Sequence, residues 1–300
     1  MPAIALPPPA HESPSPTACP LPDGLRVLHG VPYAALPGSR PLELDLYLPP
    51  AGDDPVPVVV FLHGGGWAVG SRRAVGPAYA DRSPTPFERI AAGGIAVASI
   101  DYRLSGEAVF PAQLHDAKAA VRWLRVRADE LGIDPDRIAA WGESAGGHLA
   151  ALLGLTGSEL EGEVGIVGPS SAVSAVVGWY TPTNLATIAE GIGADPARPD
   201  SREAQLVGAP LPSVPDLVAQ ASPVSHVHAG APPFLLLHGR DDRAVPFSQS
   251  EELRDRLEQA GNAVGFGSYD GADHMWRGSE TAAADALDRT IAFLRAHLLS

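Results

Sequence analysis

Apolar and polar positions change period several times along this chain, and the changes lay out its elements. Residues 42–48 (Leu-Glu-Leu-Asp-Leu-Tyr-Leu) alternate, which predicts a strand buried on one face. Residues 58–62 are apolar throughout, the pattern of a central strand covered on both faces. Thr85-Pro86-Phe87-Glu88 is a capping box with proline at the first helical position, so a helix starts there and ends by Gly93-Gly94. Residues 95–100 read as another buried strand, and 113–131 have helical period up to Gly132. Strands are expected at 137–141, 174–180, 233–237 and 264–269. Helices are expected at 145–155, 246–260 (closed by Gly261) and 279–299. Strands alternate with helices, so the fold class is α/β: a mostly parallel, doubly wound central sheet with helices on both faces. No internal repeat interrupts it.

Two stretches break the alternation. Residues 1–22 hold Pro7-Pro8-Pro9 and further prolines, and read as an extended or disordered arm. They lack a basic segment followed by a long apolar one, so a secretory signal is not expected and a cytoplasmic location is. Residues 155–230 are rich in Gly, Pro and Ser with weak periodicity. A long insertion in a compact domain is usually functional, so this one is expected to act as a cap walling a pocket on a single domain spanning 23–300.

Composition narrows the classes. The 300 residues are 45% hydrophobic, which fits one large α/β domain about as well as two small ones. No run of 18 apolar residues occurs, so no transmembrane helix is expected. The net charge of −14 argues against nucleic acid and anionic membrane surfaces as partners. Cys19 is the single cysteine, which excludes an intrachain disulfide.

The chemistry starts at Gly142-Glu143-Ser144-Ala145-Gly146, a G-x-S-x-G pattern between a predicted strand and a predicted helix. It resembles the nucleophile elbow of α/β-hydrolases, a turn too tight for neighbours with a Cβ, which holds one serine out of the bend. A serine hydroxyl is a weak nucleophile and needs a base, an acid that orients the base, and donors for an oxyanion. In this fold the order along the chain is Ser, then Asp or Glu, then His. His63-Gly64-Gly65-Gly66-Trp67 follows the strand at 58–62, and its flexible backbone can aim amides at a substrate. Gly65 and Gly66, with Ala145 after the nucleophile, are the expected oxyanion donors; Gly64 stays open. His63 lies before the elbow and reads as a structural residue of its loop. Two acids compete in His238-Gly239-Arg240-Asp241-Asp242-Arg243-Ala244-Val245-Pro246, and the resemblance to α/β-hydrolases, which place the acid as H-G-x-x-D-x-x-V-P, implies Asp242 over Asp241. Only His274 and His297 follow them, and His297 falls near the end of the terminal helix, which leaves His274 as the base. Asp273 reads as a turn residue. Trp67, Trp179, Tyr180 and Trp276 sit beside these loops or strand ends and are candidate pocket walls.

Together with Asp101-Tyr102-Arg103-Leu104, these motifs resemble the hormone-sensitive-lipase-type esterases, and more closely the bacterial carboxylesterase branch that includes feruloyl-esterase-like enzymes. The resemblance runs from about residue 25 to 298. It implies carboxylic ester hydrolysis with no metal or cofactor; the apolar and aromatic candidate walls suit small to medium, neutral, moderately hydrophobic esters. It carries Ser144, Asp242 and His274 as triad and the Gly65, Gly66 and Ala145 amides as oxyanion hole. Ser105-Gly106-Glu107 departs from the proline common after that serine, and Met275-Trp276 departs from a common Gly-Phe. Trp276 is expected to narrow the pocket. An amidase or arylformamidase, a lactonase and an acyltransferase use the same triad and stay open; a non-catalytic ligand receptor, which usually lacks a triad member, fits less well. Whether the chain forms a homodimer is open too.

Overall fold

The computed structural model describes residues 10–73 and 75–299. Among them nine strands form one sheet in the order β1-β2-β3-β5-β4-β6-β7-β8-β9. The strands are β1 (Cys19–Pro20), β2 (Arg26–Ala34), β3 (Leu42–Leu48), β4 (Val56–Leu62), β5 (Ala96–Ile100), β6 (Ile133–Glu143), β7 (Val176–Trp179), β8 (Phe234–Gly239) and β9 (Val264–Tyr269). β4 to β9 pair in parallel; β3 runs antiparallel to β5, and β1 and β2 extend that edge antiparallel. The helices are α1 (Pro86–Ala92), α2 (Ala112–Val126), α3 (Ala128–Leu131), α4 (Ala145–Leu155), α5 (Ile188–Gly191), α6 (Arg202–Val207), α7 (Pro215–Gln220), α8 (Phe247–Gln259) and α9 (Ala282–Leu298). None of them is long and apolar enough to cross a membrane.

The apolar run of β4 explains the layering. Val58, Val60 and Leu62 join one core under α2, α4 and α8, while Val59 and Phe61 join the other under α1 and α9. A strand covered on both faces has no polar side, and its carboxyl end is aimed out of the sheet between two helix layers. The capping box of α1 forms as expected: Thr85 Oγ1 accepts from the Glu88 amide at 3.2 Å and Glu88 accepts from the Thr85 amide at 2.7 Å.

Three expectations change. The helix expected over 113–131 splits at Arg127, whose ψ of 12° leaves the α region, and Gly132 ends the second piece in the left-handed conformation. β2 has no counterpart in the predicted elements. Its Gly30 and Pro32 interrupt the alternation, and the register against β3 shifts around both; proline is tolerated there because the pairing is antiparallel and near the sheet edge. The segment 155–230 is not one excursion, because β7 runs through it between β6 and β8. Residues before β7 enter the strand at its amino end, held by Lys118 Nζ on the carbonyls of Gly157 (2.7 Å) and Glu159 (2.6 Å) and by Arg122 on that of Ile166 (2.6 Å). Residues after β7 carry α5, α6 and α7 over the carboxyl ends of the strands.

Residues 1–9 of the Pro-rich arm lie outside the described residues. The rest of the arm is pinned to the body: the His11 carbonyl accepts from Trp123 Nε1 (3.0 Å), the Ser13 carbonyl from Arg127 (3.0 Å), and the Ser15 amide donates to Glu130 (3.0 Å).

Candidate active site

β6 ends at Glu143 and α4 begins at Ala145, so Ser144 alone makes the turn, with φ 51° and ψ −120°. Such a conformation costs a non-glycine residue about 1–3 kcal/mol and persists only where the surroundings impose it. The surroundings are close. A Cβ on Gly142 would collide with the Gly146 carbonyl, and one on Gly146 with the carbonyls of Leu62 and His63. The Ser144 amide donates to the Trp179 carbonyl at 2.9 Å, tying the bend to the end of β7. Strain gathers here: Trp67, Ser144, Tyr180, Met275 and Trp276 are five of the seven non-glycine residues with positive φ among the described residues.

Ser144 Oγ lies 3.0 Å from His274 Nε2, and His274 Nδ1 lies 2.7 Å from Asp242 Oδ2. Two loops from different strand ends therefore meet over the elbow. Asp242 Oδ1 accepts from the Ala244 and Val245 amides, both at 2.8 Å. Burial pushes its carboxyl up, yet bonds from His238 and His274 outweigh burial and hold it well below the ordinary carboxylate range. Asp242 stays ionised beside the imidazole. Asp241 is exposed and reaches neither histidine. Asp273 bridges the loops: its carboxylate accepts from the His274 amide (2.7 Å) and the Arg243 amide (3.0 Å).

His238 is a functional residue the sequence reading passed over. It is fully buried, with Nε2 at 3.0 Å from the Val245 carbonyl and 3.3 Å from Asp242 Oδ2. Both partners are acceptors, so Nε2 carries the hydrogen and Nδ1 accepts from Ser250 Oγ at 2.7 Å. The H-G-x-x-D spacing contained the signal: a histidine four residues before the acid, at the end of the same strand.

The glycine loop is set from below. Tyr102 stacks on His63 at 4.3 Å and donates its hydroxyl to the His63 carbonyl at 2.8 Å. His63 Nδ1 donates to the Gly64 carbonyl at 2.7 Å, and burial lowers the pKa of its ring, which keeps it neutral. Gly65 and Gly66 have φ of 116° and 58°, and a Cβ on Gly65 would strike the Val69 carbonyl. The amides of Gly65, Gly66 and Ala145 donate to no protein acceptor among the described residues, and all three residues line the same cavity as Ser144 and His274. Ala145 opens α4, where the first-turn amides have no intrahelical partner. Glu143 lies behind the loop and is buried; it accepts from Tyr180 Oη at 2.6 Å and from the Gly76 amide at 3.0 Å, and burial still pushes its carboxyl up.

The cavity encloses about 510 Å³. Of the four aromatic residues expected as walls, Trp67 and Tyr180 line it. Trp67 donates its indole N–H to His148 Nδ1 at 3.2 Å, and His148 Nε2 donates to the Ala221 carbonyl at 2.6 Å, linking the glycine loop through α4 to the segment above. Tyr180 sets its ring edge against His274 at 4.7 Å. Trp179 and Trp276 do not line the cavity and are corrected to core residues. Trp179 faces α9, its Nε1 on Thr290 at 3.0 Å. Trp276 packs against Trp179, Tyr180 and Tyr269 at 5.6, 4.8 and 5.1 Å. The left-handed backbone at Met275 and Trp276 turns the indole under the base loop and leaves Met275 to face the cavity. The remaining walls come from the segment after β7, including Ile188, Ile192, Arg202 and Leu211, for which weak periodicity held no signal.

The chain is similar to known proteins. A family model described as BD-FAE matches residues 44–257. Esterase LipC of Mycobacterium tuberculosis is 35% identical over 231 residues, 73% of this chain and 53% of that protein. The chain spans about half the length of the curated relatives it matches, LipC among them. A truncated form of a carbohydrate esterase from gut microbiota superposes with a TM-score of 0.79 at 30% identity, covering 94% of this chain and 99% of that one. Esterase 2 of the planctomycete Thermogutta terrifontis superposes with a TM-score of 0.72 at 30% identity, covering 91% and 92%, and has also been solved phosphorylated by paraoxon. Sheet order, solved neighbours and matched model converge on one conclusion: the fold is that of the α/β-hydrolase esterases, and this chain belongs to the BD-FAE family.

Proposed function

We propose that the chain is a serine carboxylic ester hydrolase working through an acyl-enzyme on Ser144. The observation that carries this reading is the unbroken relay from Asp242 Oδ2 to His274 (2.7 Å) to Ser144 Oγ (3.0 Å), opening into a cavity of about 510 Å³. His274 takes the Ser144 proton as the hydroxyl attacks the ester carbonyl, then gives it to the leaving alcohol. Asp242 keeps the hydrogen on Nδ1, so that Nε2 faces the serine as a base. The Gly65, Gly66 and Ala145 amides receive the oxyanion, each worth about 3 kcal/mol in the transition state. Water then frees the acid by the same path.

The cavity volume suits a small to medium ester, and Trp67, Ile188, Leu211, Val245 and Met275 supply apolar contact for its hydrophobic part. The segment after β7 serves as the cap. A cytoplasmic location agrees with the lone exposed Cys19, since no disulfide calls for an oxidising compartment. The test is hydrolysis of p-nitrophenyl butyrate, run beside lactones and N-formyl arylamines. The wild type turns over the ester in preference to both, and Ser144→Ala lowers kcat by about 10⁴-fold or more. Preference for the lactone or the formamide would replace this reading with one of the others the triad serves.

A further inference from the structure

We propose that Arg202 makes this active site selective for esters that carry a second, anionic group, a carboxylate a few bonds from the scissile ester. The proposal rests on the ester-hydrolase reading above and names a substrate class for the same site.

Arg202 belongs to α6 in the segment above the strands, and it lines the same cavity as Ser144 and Gly66. Its side chain lies directly on the glycine loop: a Cβ at Gly66 would collide with its Cδ and guanidinium. A guanidinium offers five N–H donors in a planar fork that matches a carboxylate. Among the described residues, that of Arg202 forms neither an ion pair nor a hydrogen bond.

The other charges on this wall are committed. Arg198 holds Asp200 through two contacts, at 2.9 and 2.6 Å. Asp195 accepts from the Ala197 amide at 2.8 Å. Glu143 is taken by Tyr180 and Gly76. Glu203 is the remaining carboxyl of the wall; burial raises its pKa although Arg202 stands beside it, which weakens it as a standing counter-ion. One cation is thus left uncommitted above the loop expected to meet the ester carbonyl. Trp67, Ile188, Leu211, Val245 and Met275 line the same cavity and carry no charge that would compete for an anion.

Position limits the ligand. Because the guanidinium overlies Gly66, the carboxylate must lie close to the ester, as in a hemi-ester of a short dicarboxylic acid or an ester whose alcohol part bears the carboxylate. Two matched pairs separate these cases. Monoethyl glutarate against ethyl pentanoate places the charge on the acyl side; para-acetoxybenzoate against phenyl acetate places it on the alcohol side. For one pair, the charged-to-neutral ratio of kcat/KM falls by about tenfold or more in Arg202→Gln, as expected for loss of a charge-assisted, bidentate contact. Arg202→Lys falls between, keeping the charge but losing the fork. In the wild type the same ratio drops as sodium chloride rises from about 0.05 to 0.5 M. A ratio unchanged within about twofold in Arg202→Gln for both pairs, with the neutral esters still hydrolysed, overturns the role of Arg202 and leaves the esterase reading standing. Failure of the wild type on all four esters overturns both.

Discussion

Replacing Asp242 with asparagine tests the relay at its buried end. The carboxylate takes four donors: the Ala244 and Val245 amides on Oδ1, both at 2.8 Å, and on Oδ2 His274 Nδ1 at 2.7 Å and His238 Nε2 at 3.3 Å. Asparagine keeps the shape but turns one acceptor into a donor. The backbone amides cannot reverse, so the amide oxygen stays with them and the new NH₂ faces two ring N–H groups. His274 escapes the clash by moving its hydrogen to Nε2, where it points at Ser144 Oγ and can no longer accept the serine proton. The base is then held in the wrong tautomer, and the imidazolium that must form in the transition state has lost its ionised partner. The expected loss in kcat is about 10⁴-fold, roughly 5 kcal/mol at about 1.36 kcal/mol per decade. The assay is kcat on p-nitrophenyl butyrate at fixed mildly alkaline pH, with thermal unfolding to show that the variant folds. Asp241→Asn, at the exposed neighbour, changes kcat by less than about threefold. A folded Asp242→Asn enzyme within tenfold of wild-type kcat would refute the reasoning.

Further predictions concern buried groups and the cavity wall. The His148 ring, enclosed between Trp67 and Ala221, has its pKa lowered by desolvation from 6.5 to about 4. The unfolded chain takes up that proton first, so stability falls as pH drops below about 6.5, by about 2 kcal/mol between pH 7.5 and 5; His148→Gln flattens this slope in urea titrations, and an unchanged slope would count against it. Asp242 acts in the same direction further down: its contribution is complete above the ordinary 3.8 and is lost as pH falls below it. Trp276→Ala, in the core beneath the base loop, costs about 3–5 kcal/mol of unfolding free energy, whereas Met275→Ala shifts the preferred acyl length; a stable Trp276→Ala enzyme with widened substrate range would return Trp276 to the pocket wall.

Elements whose local pattern agrees with their packing were legible in the sequence: β4 by its two-faced apolar run, α1 by its capping box, the elbow by two glycines that leave no room for a Cβ. The Ser, Asp, His order and the glycine loop were enough to nominate residues that the fold brings within 3.0 Å of one another. What stayed hidden depends on contacts between distant segments. Trp179 and Trp276 adjoin the active loops in sequence, but alternation along β7 and the left-handed turn at Met275 send both indoles into the core. Met275 and Arg202 reach the cavity through turns no short pattern encodes. β2 was obscured by Gly30 and Pro32, residues that mark register shifts rather than the end of the strand.

The central claim is that Ser144 carries the acyl group, and one measurement reaches it most directly. The intact protein is treated with paraoxon, and the adduct is located by mass spectrometry of its peptides. The account predicts one diethylphosphoryl group per chain, on Ser144, formed in step with loss of esterase activity and absent in Ser144→Ala. Full inactivation with the adduct on another residue, or full esterase activity in Ser144→Ala, would contradict it.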